Sequence, residues 1–536
     1  MSLQQLMNDR IHPTLQLVQD KVNEYIEKYF EKKTVALGIS SAISIYLVSK
    51  YIIYRIYLHP LRHMPGPKVD WIPFLGNFRE IIQSESGVPH KRWSKLYGGI
   101  YMYHGEWNQP RVVVTDDKLL KQVLTTQEYD FIKTPDSQKF LSRFLGNGLL
   151  VAEGQQHRFQ RKLLNPAFSV QSIRSMVPLM AKPGYQLRKL WLDRIKENNN
   201  EEFTEIEVST GLSLATLDVI GLAGFGQDLK SVEHAGTENQ SKLSQAYLHI
   251  FSADLSLFRI LSFIFPVLRN MPTERNRIIK RDLRWLEEES RALVQAGIDR
   301  AAREKDSQEK SKDLLALMVN LIDDETGKGM TAEELRNQCM TFLAAGHETT
   351  SVSLSWCLWL LAQNQKIQDE LRKEVRSLFT DDESVPSYDE INALPLLNNV
   401  CRETLRLIPP VPVTNRITRV PVVLGSYALP KGTVVFLPLI VNHHSKEIWG
   451  DDAEEFNPYR WETDKVGNAY QYMPFLAGGR QCIGYKFALI EMKLLLAILI
   501  KDIQYFEKPG FTVRKKQQIT LRPFPNMTLW MKSINK

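Results

Sequence analysis

Apolar positions change their spacing along this chain, and each spacing predicts an element. Between residues 12 and 33, Leu15, Val18, Val22, Tyr25, Ile26, Tyr29 and Phe30 recur every three or four residues, with Asp20, Glu24, Glu27 and Lys28 between them. That period predicts an amphipathic helix. Thr34 to Leu58 is then apolar except for Lys50 and Arg55. At about 1.5 Å per residue it can span a hydrocarbon layer of roughly 30 Å, with both cations reaching an interface. Residues 100–114 alternate or run β-branched around Asn108-Gln-Pro110, which predicts a hairpin. Most later segments have helical period, with polar breaks near 194–202, 303–312, 322–329 and 379–387. Residues 254–270 are unusually apolar for a connector and read equally as core or as a segment resting on a bilayer. Thr331-Ala-Glu-Glu334 is a capping box, with Met330 and Leu335 placed as a staple. The helix it opens runs to about Asn364. The pattern predicts a mainly α protein with small β-sheets, preceded by an N-terminal transmembrane helix.

Composition narrows the class. The chain has 536 residues, 43% hydrophobic and 24% charged, enough for a sizeable core. No Pro/Gly/Ser-rich linker divides it after residue 70, so one large domain is expected. A net charge of +7 with no basic cluster interleaved with aromatics argues against nucleic acid. Cys339, Cys357, Cys401 and Cys482 have neither metal-finger nor secreted-framework spacing, and suit reduced thiols facing the cytosol. A cleaved signal would begin nearer residue 1 and end in small residues. Lys21, Lys28, Lys32 and Lys33 precede the span; Lys50, Arg55, Arg62 and Lys68 end or follow it. The positive-inside rule is thus balanced.

The chemistry centres on Phe475-Leu-Ala-Gly-Gly-Arg-Gln-Cys-Ile-Gly484, followed by an amphipathic run from Tyr485. Glycines let the backbone approach a ligand, and their amides can point at a sulfur. The start of the next helix is expected to lower the thiol pKa. A lone cysteine on a glycine turn is otherwise a buried structural residue. The stretch reads F-x-x-G-x-R-x-C-x-G and resembles the haem-binding loop of the cytochrome P-450 family. Three further motifs follow that family's order. Ala344-Ala-Gly-His-Glu-Thr-Thr350 resembles its distal-helix motif A-G-x-E-T. Glu403-Thr-Leu-Arg406 resembles its E-x-x-R, and Phe456-Asn-Pro-Tyr-Arg-Trp461 the segment beyond it. His157-Arg-Phe-Gln-Arg161 stands where the family usually has W-x-x-x-R, with His in place of Trp.

The resemblance covers about residues 60–530 and implies a haem-thiolate monooxygenase. It implies haem b, with Cys482 as axial ligand in a loop that begins at Phe475. His157, Arg161, Arg416 and Arg480 would meet the propionates. Glu348 and Thr349 would relay protons to dioxygen, in a turn opened at Gly346; His347 is expected at the surface. Glu403, Arg406 and Arg460 would form a buried structural cluster. Phe140, Phe144, Phe342 and Ala345 would line the substrate pocket, together with Val411, Val413 and Ile519. All seven are apolar, so a fatty acid, sterol or xenobiotic is the expected substrate. Electrons would come from NADPH through cytochrome P-450 reductase, with cytochrome b5 as a second donor. Arg158, Lys162, Lys486 and Lys493 would ring the donor's face. His63-Met-Pro-Gly-Pro67 resembles the hinge of microsomal members. It implies a tail over 1–33, an anchor over 34–58, a hinge over 59–68 and a haem-binding catalytic domain over 69–536. The catalytic domain would be cytosolic, on a single-pass anchor in the endoplasmic reticulum membrane. The tail before the anchor departs from the family pattern. Two other classes stay open: a haem-thiolate isomerase or dehydratase, against which Thr349 argues, and a non-catalytic haem sensor or membrane binding protein.

Overall fold

Exposed apolar side chains mark the first part of the chain. The computed structural model describes residues 12–70, 72, 74–198, 202–250, 267–268, 271–304, 311–323, 327–463 and 467–534. Helix α1 (His12–Val48) continues as a wider, π-type winding over Ser49–Leu58. Leu17–Leu58 is the one candidate membrane span among the described residues, by length and composition. Val18, Val22, Ile26 and Phe30 of the amphipathic stretch are exposed, as are Ile39, Ile43 and Ile45 of the apolar run. Exposed apolar area on this scale marks contact with lipid or protein. The tail and the apolar run thus form one continuous helix. The expected connector at 254–270 lies, apart from 267–268, outside the described residues.

The chain divides into two compact units: Met1–Met64 with Lys68–Arg79 and Tyr103–Pro110, and Pro65–Pro67 with Glu80–Met102 and Arg111–Lys536. Beyond α1, and with the shorter helices (among them Phe78–Gln83, Val88–Tyr97 and Asp117–Lys121) left unlabelled, the order of the main elements begins β1 (Ile100–His104), β2 (Pro110–Val114), β3 (Phe131–Ile132), α2 (Pro135–Leu145), α3 (Gly154–Leu164) and α4 (Val170–Glu197). It continues β4 (Thr204–Glu207), α5 (Val208–Val219), α6 (Lys242–Ile250), α7 (Glu274–Arg303), α8 (Ala332–Gln363), α9 (Gln365–Arg376) and α10 (Pro395–Leu407). Then come β5 (Thr414–Thr418), β6 (Val422–Leu424), β7 (Tyr427–Leu429), β8 (Val434–Leu437) and α11 (Tyr485–Ile500). β9 (Ile503–Glu507), β10 (Arg514–Gln517), β11 (Leu521–Phe524) and β12 (Thr528–Ser533) complete the chain order. The protein is mainly helical, with small sheets ordered β1-β2-β8-β5-β3, β4-β12-β9, β10-β11 and β6-β7. The expected hairpin is β1–β2.

Two helices organise the second unit. Thr331 caps α8: its hydroxyl accepts from Glu334 N at 3.2 Å while Glu334 Oε2 accepts from Thr331 N at 2.9 Å. The 32 residues of α8 extend roughly 48 Å and are buried on nearly every side. Its buried polar side chains, among them Gln338, Glu348 and Ser355, sit among apolar ones inside the core. Helix α11 is also buried from Ile490 to Ile500. It packs on α4 at Gly184, where a Cβ would lie 2.8 Å from Leu495 and 3.0 Å from Ile498. A side chain there would make Leu495 and Ile498 shift, so glycine lets the two helices pack closely.

Candidate active site

The cysteine loop is held by its own backbone. Cys482 N donates to Phe475 O at 2.9 Å, Gln481 N to Gly478 O at 3.0 Å, and Leu476 N to Met473 O at 3.1 Å. Gly478 has φ +74°, and a Cβ there would sit 1.9 Å from Leu124 O. The loop is anchored outward as well. Gly479 N donates to Glu128 Oε2 at 2.7 Å, and Met473 N to His443 Nε2 at 2.9 Å. Arg161 Nη1 donates to Gln481 O, and its Nε to Asn165 at 3.0 Å. Cys482 has an accessible side chain. Its thiol is nevertheless pushed up chiefly by burial, with the Gly484 amide and Arg161 acting the other way. The sulfur therefore faces an enclosed space within the protein. Desolvation outweighs the helix start that was expected to lower this pKa.

A basic cluster lies beside the loop. Arg480 Nη2 donates to Glu153 Oε2, and Lys133 N to Glu153 Oε1 at 2.9 Å. The Lys133 ammonium lies 3.3 Å from the same carboxylate and donates to Ala152 O at 3.0 Å. Arg416 is buried and donates to Asn415 O at 2.7 Å and Thr414 Oγ1 at 3.1 Å. Burial, reinforced by Arg480, pulls its guanidinium down to about 10. Lys133 is lowered to about 7, mainly by burial. His157 is lowered to about 4, by burial and then Arg480; its Nδ1 lies 3.2 Å from Tyr129 Oη. Arg480 Nε and Nη1 are buried without a hydrogen-bond partner. The structure thus brings His157, Arg416 and Arg480 together, while Arg161 turns to the loop backbone. Motif reading missed Lys133, Glu153 and Tyr129. Glu153 lies one residue before α3, four before His157, but Lys133 has no local signal.

The middle of α8 opens on one face only. Between residues 337 and 358 every residue is buried except Ala345, Gly346 and Thr349, spaced as one helical stripe. Thr349 Oγ1 donates to Ala345 O at 2.8 Å. Glu348 points elsewhere. Its Oε1 accepts from Thr520 Oγ1 at 2.5 Å and Arg522 Nε at 2.6 Å, and its Oε2 from Arg522 Nη2 at 2.6 Å. His347 is not at the surface as expected: it is buried, Nδ1 lies 2.7 Å from Leu343 O, and its ring meets Tyr247 at 4.7 Å. Helix α6 supplies that tyrosine and covers the face. Of the expected pocket residues, Phe144 and Phe342 belong to the core, with Phe140 and Ile519 packed against it. Phe140 and Phe144 meet at 5.2 Å between ring centroids. Ala345 and Val413 are half-buried and Val411 is exposed.

Glu403, Arg406 and Arg460 meet in one buried cluster. Arg406 donates to Glu403 through Nε at 2.9 Å and Nη2 at 2.7 Å, and Arg460 Nε does so at 2.8 Å. Trp461 Nε1 and Asn457 N add donors at 3.0 and 3.1 Å. Arg406 Nη1 reaches His443 O and Ala453 O, both at 2.6 Å. Of the cations expected around an electron donor, Arg158 is exposed and lies 4.0 Å from the Tyr129 ring, and Lys162 lies 3.1 Å from Asp323. Lys493 is a correction: it is buried and donates to Asn392 at 2.7 Å, because α11 is covered on all sides there.

A family model described as Cytochrome P450 matches residues 64–529. The chain is 35% identical over 526 residues to cytochrome P450 monooxygenase 205 of Postia placenta, covering 91% of this chain and 94% of that protein. It is 32% identical over 501 residues to cytochrome P450 monooxygenase sphH of Aspergillus fumigatus, with 89% of each chain covered. It is 32% identical over 460 residues to a cytokinin hydroxylase of Arabidopsis thaliana, with 84% of each covered. Fold and loop define a haem-thiolate protein. The chain belongs to the cytochrome P450 family, and is an oxidoreductase of the monooxygenase class that works with a redox partner, a lipophilic substrate and dioxygen.

The residues present fit a haem-thiolate cofactor. Lys133, Arg416 and Arg480 carry three buried positive charges against one carboxylate, Glu153. Two charges and two Arg480 N–H groups are left to be met, and a pair of carboxylates would meet them. The accessible Cys482 sulfur, with the Gly484 amide and Arg161 beside it, completes the donor set.

Proposed function

We propose that this monooxygenase binds haem b through Cys482 and oxidises a C–H bond of a lipophilic substrate, a fatty acid, sterol or xenobiotic. When bound, the haem supplies dioxygen activation: one oxygen atom enters the substrate, the other leaves as water, and NADPH provides two electrons. The chain's own residues do the rest. Arg480, Arg416, Lys133 and His157 hold the propionates, and Phe475 and Gly478 shape the loop around the sulfur. Arg161 fixes the loop backbone at Gln481. Thr349 and Glu348 move protons. Glu403, Arg406 and Arg460 lock the structure behind the loop. Phe140, Phe144, Phe342, Ala345, Val411, Val413 and Ile519 exclude water from the substrate. The observation that carries the reading is the Ala345–Gly346–Thr349 stripe, one hydroxyl on an otherwise apolar opening in a buried helix. A relative named as a cytokinin hydroxylase supports insertion of oxygen into carbon.

The electron donor in this reading is an NADPH-dependent cytochrome P-450 reductase, with cytochrome b5 as a second source. Residues 34–58 anchor the chain in the endoplasmic reticulum membrane after a tail over 1–33. Residues 59–68 are the hinge, and 69–536 the cytosolic catalytic domain. Cys482→Ser should remove the long-wavelength carbon monoxide band of the reduced protein, because thiolate ligation produces that band. A full-intensity band in the variant would overturn the assignment. A binding screen of fatty acids, sterols and foreign hydrocarbons, followed by product analysis with NADPH and reductase, identifies the substrate.

A further inference from the structure

The cysteine loop is gripped from two sides by groups of opposite charge. Arg161, on α3, donates to Gln481 O, one residue before Cys482. Glu128 Oε2 accepts from Gly479 N at 2.7 Å, three residues before it. The approach on the Glu128 side is close. A Cβ on Gly479 would collide with both Glu128 carboxylate oxygens, and one on Gly478 with Leu124 O. Residues 124–128 and 478–479 therefore meet with no side chain of the loop between them. The carboxylate sits on a fixed turn. Arg419 donates from Nε to Tyr129 O at 3.1 Å and from its backbone N to Asp130 O at 2.7 Å. The Tyr129 ring carries Arg158 at 4.0 Å and Arg480 at 5.2 Å. Glu128 and Arg161 are both half-buried. Arg161 lies within electrostatic reach of the Cys482 sulfur and of Glu128. A backbone amide and a carbonyl could be satisfied by any polar side chain or by water. Here each meets a full charge, and the two charges act on the neighbouring sulfur with opposite sign.

We propose that Glu128 is a positioning residue for Cys482: its carboxylate pins the loop at Gly479 and offsets the Arg161 charge, so that the sulfur stays electron-rich and the metal it holds is harder to reduce. The inference rests on the haem-thiolate reading of Cys482. An electron added at this site is attracted by the guanidinium and repelled by the carboxylate. Removing the Glu128 charge therefore favours the reduced form, and removing the Arg161 charge favours the oxidised form. Loop hydrogen bonding and local charge are levers on the potential of such a centre. Glu128 makes and breaks no covalent bond; it acts through the field and through the backbone of the loop. No motif marks it, because its partner Gly479 is 351 residues away.

The test needs neither substrate nor flavoprotein. Full-length, haem-loaded protein is equilibrated without oxygen against a one-electron mediator dye, and the reduced-to-oxidised ratio is read at a fixed dye potential. Glu128→Gln keeps an oxygen for Gly479 N and removes only the charge. It should raise the ratio at least threefold, where a tenfold rise would correspond to about 59 mV. The rise should survive added salt, since half-buried groups are screened less than exposed ones. Glu128→Ala removes the grip as well. It should raise the ratio to the same extent and, on mild warming, lose the long-wavelength carbon monoxide band at least threefold faster than wild type. Arg161→Met should lower the ratio. Asp130→Asn removes a nearby carboxylate that pairs with Arg419 instead, and should act less than half as strongly as Glu128→Gln. The role of Glu128 is refuted if Glu128→Gln leaves the ratio unchanged, if Asp130→Asn matches it, or if the band of Glu128→Ala lasts as long as that of wild type. If Glu128→Ala does not retain haem, Glu128→Gln and Asp130→Asn decide alone. Absence of the carbon monoxide band in wild type would instead refute the haem-thiolate reading, and this inference with it.

Discussion

Two buried ionic clusters flank the cysteine loop, and they are built on opposite principles. Around Glu403 the charges balance: Arg406 and Arg460 face Glu403 and Asp452. The remaining N–H groups of Arg406 find backbone carbonyls. Around Glu153, three cations face one carboxylate, and two N–H groups of Arg480 have no partner. A buried charge without a partner is costly, so a cluster left incomplete by the protein is one that something else completes. In the proposed reading the saturated cluster holds the fold, and the unsaturated one receives the cofactor's carboxylates. Both contain Arg and Glu, so residue type alone does not separate them.

The contrast can be broken most forcefully at its saturated end. Glu403→Ala leaves the Arg406 guanidinium in the core without a carboxylate, while Arg460 keeps Asp452, and should cost about 3–5 kcal/mol of stability. Urea unfolding of the haem-loaded protein measures it, and a loss below about 1 kcal/mol would mean that Arg406 finds substitutes among the nearby carbonyls. At the unsaturated end the same kind of change should act on the ligand. Arg480→Met removes donors worth about 1.5–3 kcal/mol to a charged partner, so haem should leave roughly 10- to 100-fold faster into apomyoglobin. Unfolding of the apoprotein should shift far less. Equal losses of haem retention and apoprotein stability would erase the distinction.

Acid should expose a third difference. His157 is held down to about 4, and His90, His443 and His444 to about 3, each mainly by burial. Their folded values lie below the unfolded 6.5, so the unfolded chain binds protons first as pH falls. The stability they confer is complete above pH 6.5 and is lost below it, by roughly 1.4 kcal/mol per pH unit for each histidine. His157→Gln should lower the pH slope of stability between 6 and 5 by about one proton, read from urea midpoints. An unchanged slope would show that His157 is charged in the fold. The smallest effect is expected at the outer rim. Arg158→Glu with Lys162→Glu should slow reduction by a microsomal reductase several-fold at low salt. The effect should fade as salt rises past a Debye length of about 8 Å. Asp323 already offsets Lys162, which keeps the change modest. Stopped-flow rates identical to wild type at every salt concentration would place the donor elsewhere.

Much of this site was legible because its residues are close in the chain. The cysteine loop, the capping box at Thr331 and the motif at Gly346 each specify local backbone geometry, and local geometry is what spacing encodes. Glu403 and Arg406 share one turn of α10, so their contact was expected from their separation. His347 and Lys493 went wrong for a shared reason. Each is polar within a largely apolar helix and reads as a solvated position, but other elements cover α8 at His347 and α11 at Lys493. Lys133 and Arg522 gave no signal, because what gives each its place lies far away in sequence.

The class of protein came from the resemblance that the motifs carry, while period, caps and glycine turns by themselves predicted the long apolar helix, the hairpin and the apolar N-terminal run. These are short-range consequences of backbone sterics and of side-chain alternation. Tertiary structure decided where charge was left over. It set Lys133 and Arg480 against one carboxylate, bound Glu348 to Arg522 across 174 residues, and opened α8 only at Ala345, Gly346 and Thr349. Burial and partner count are properties of three-dimensional packing, and the cost of an unpaired charge depends on both.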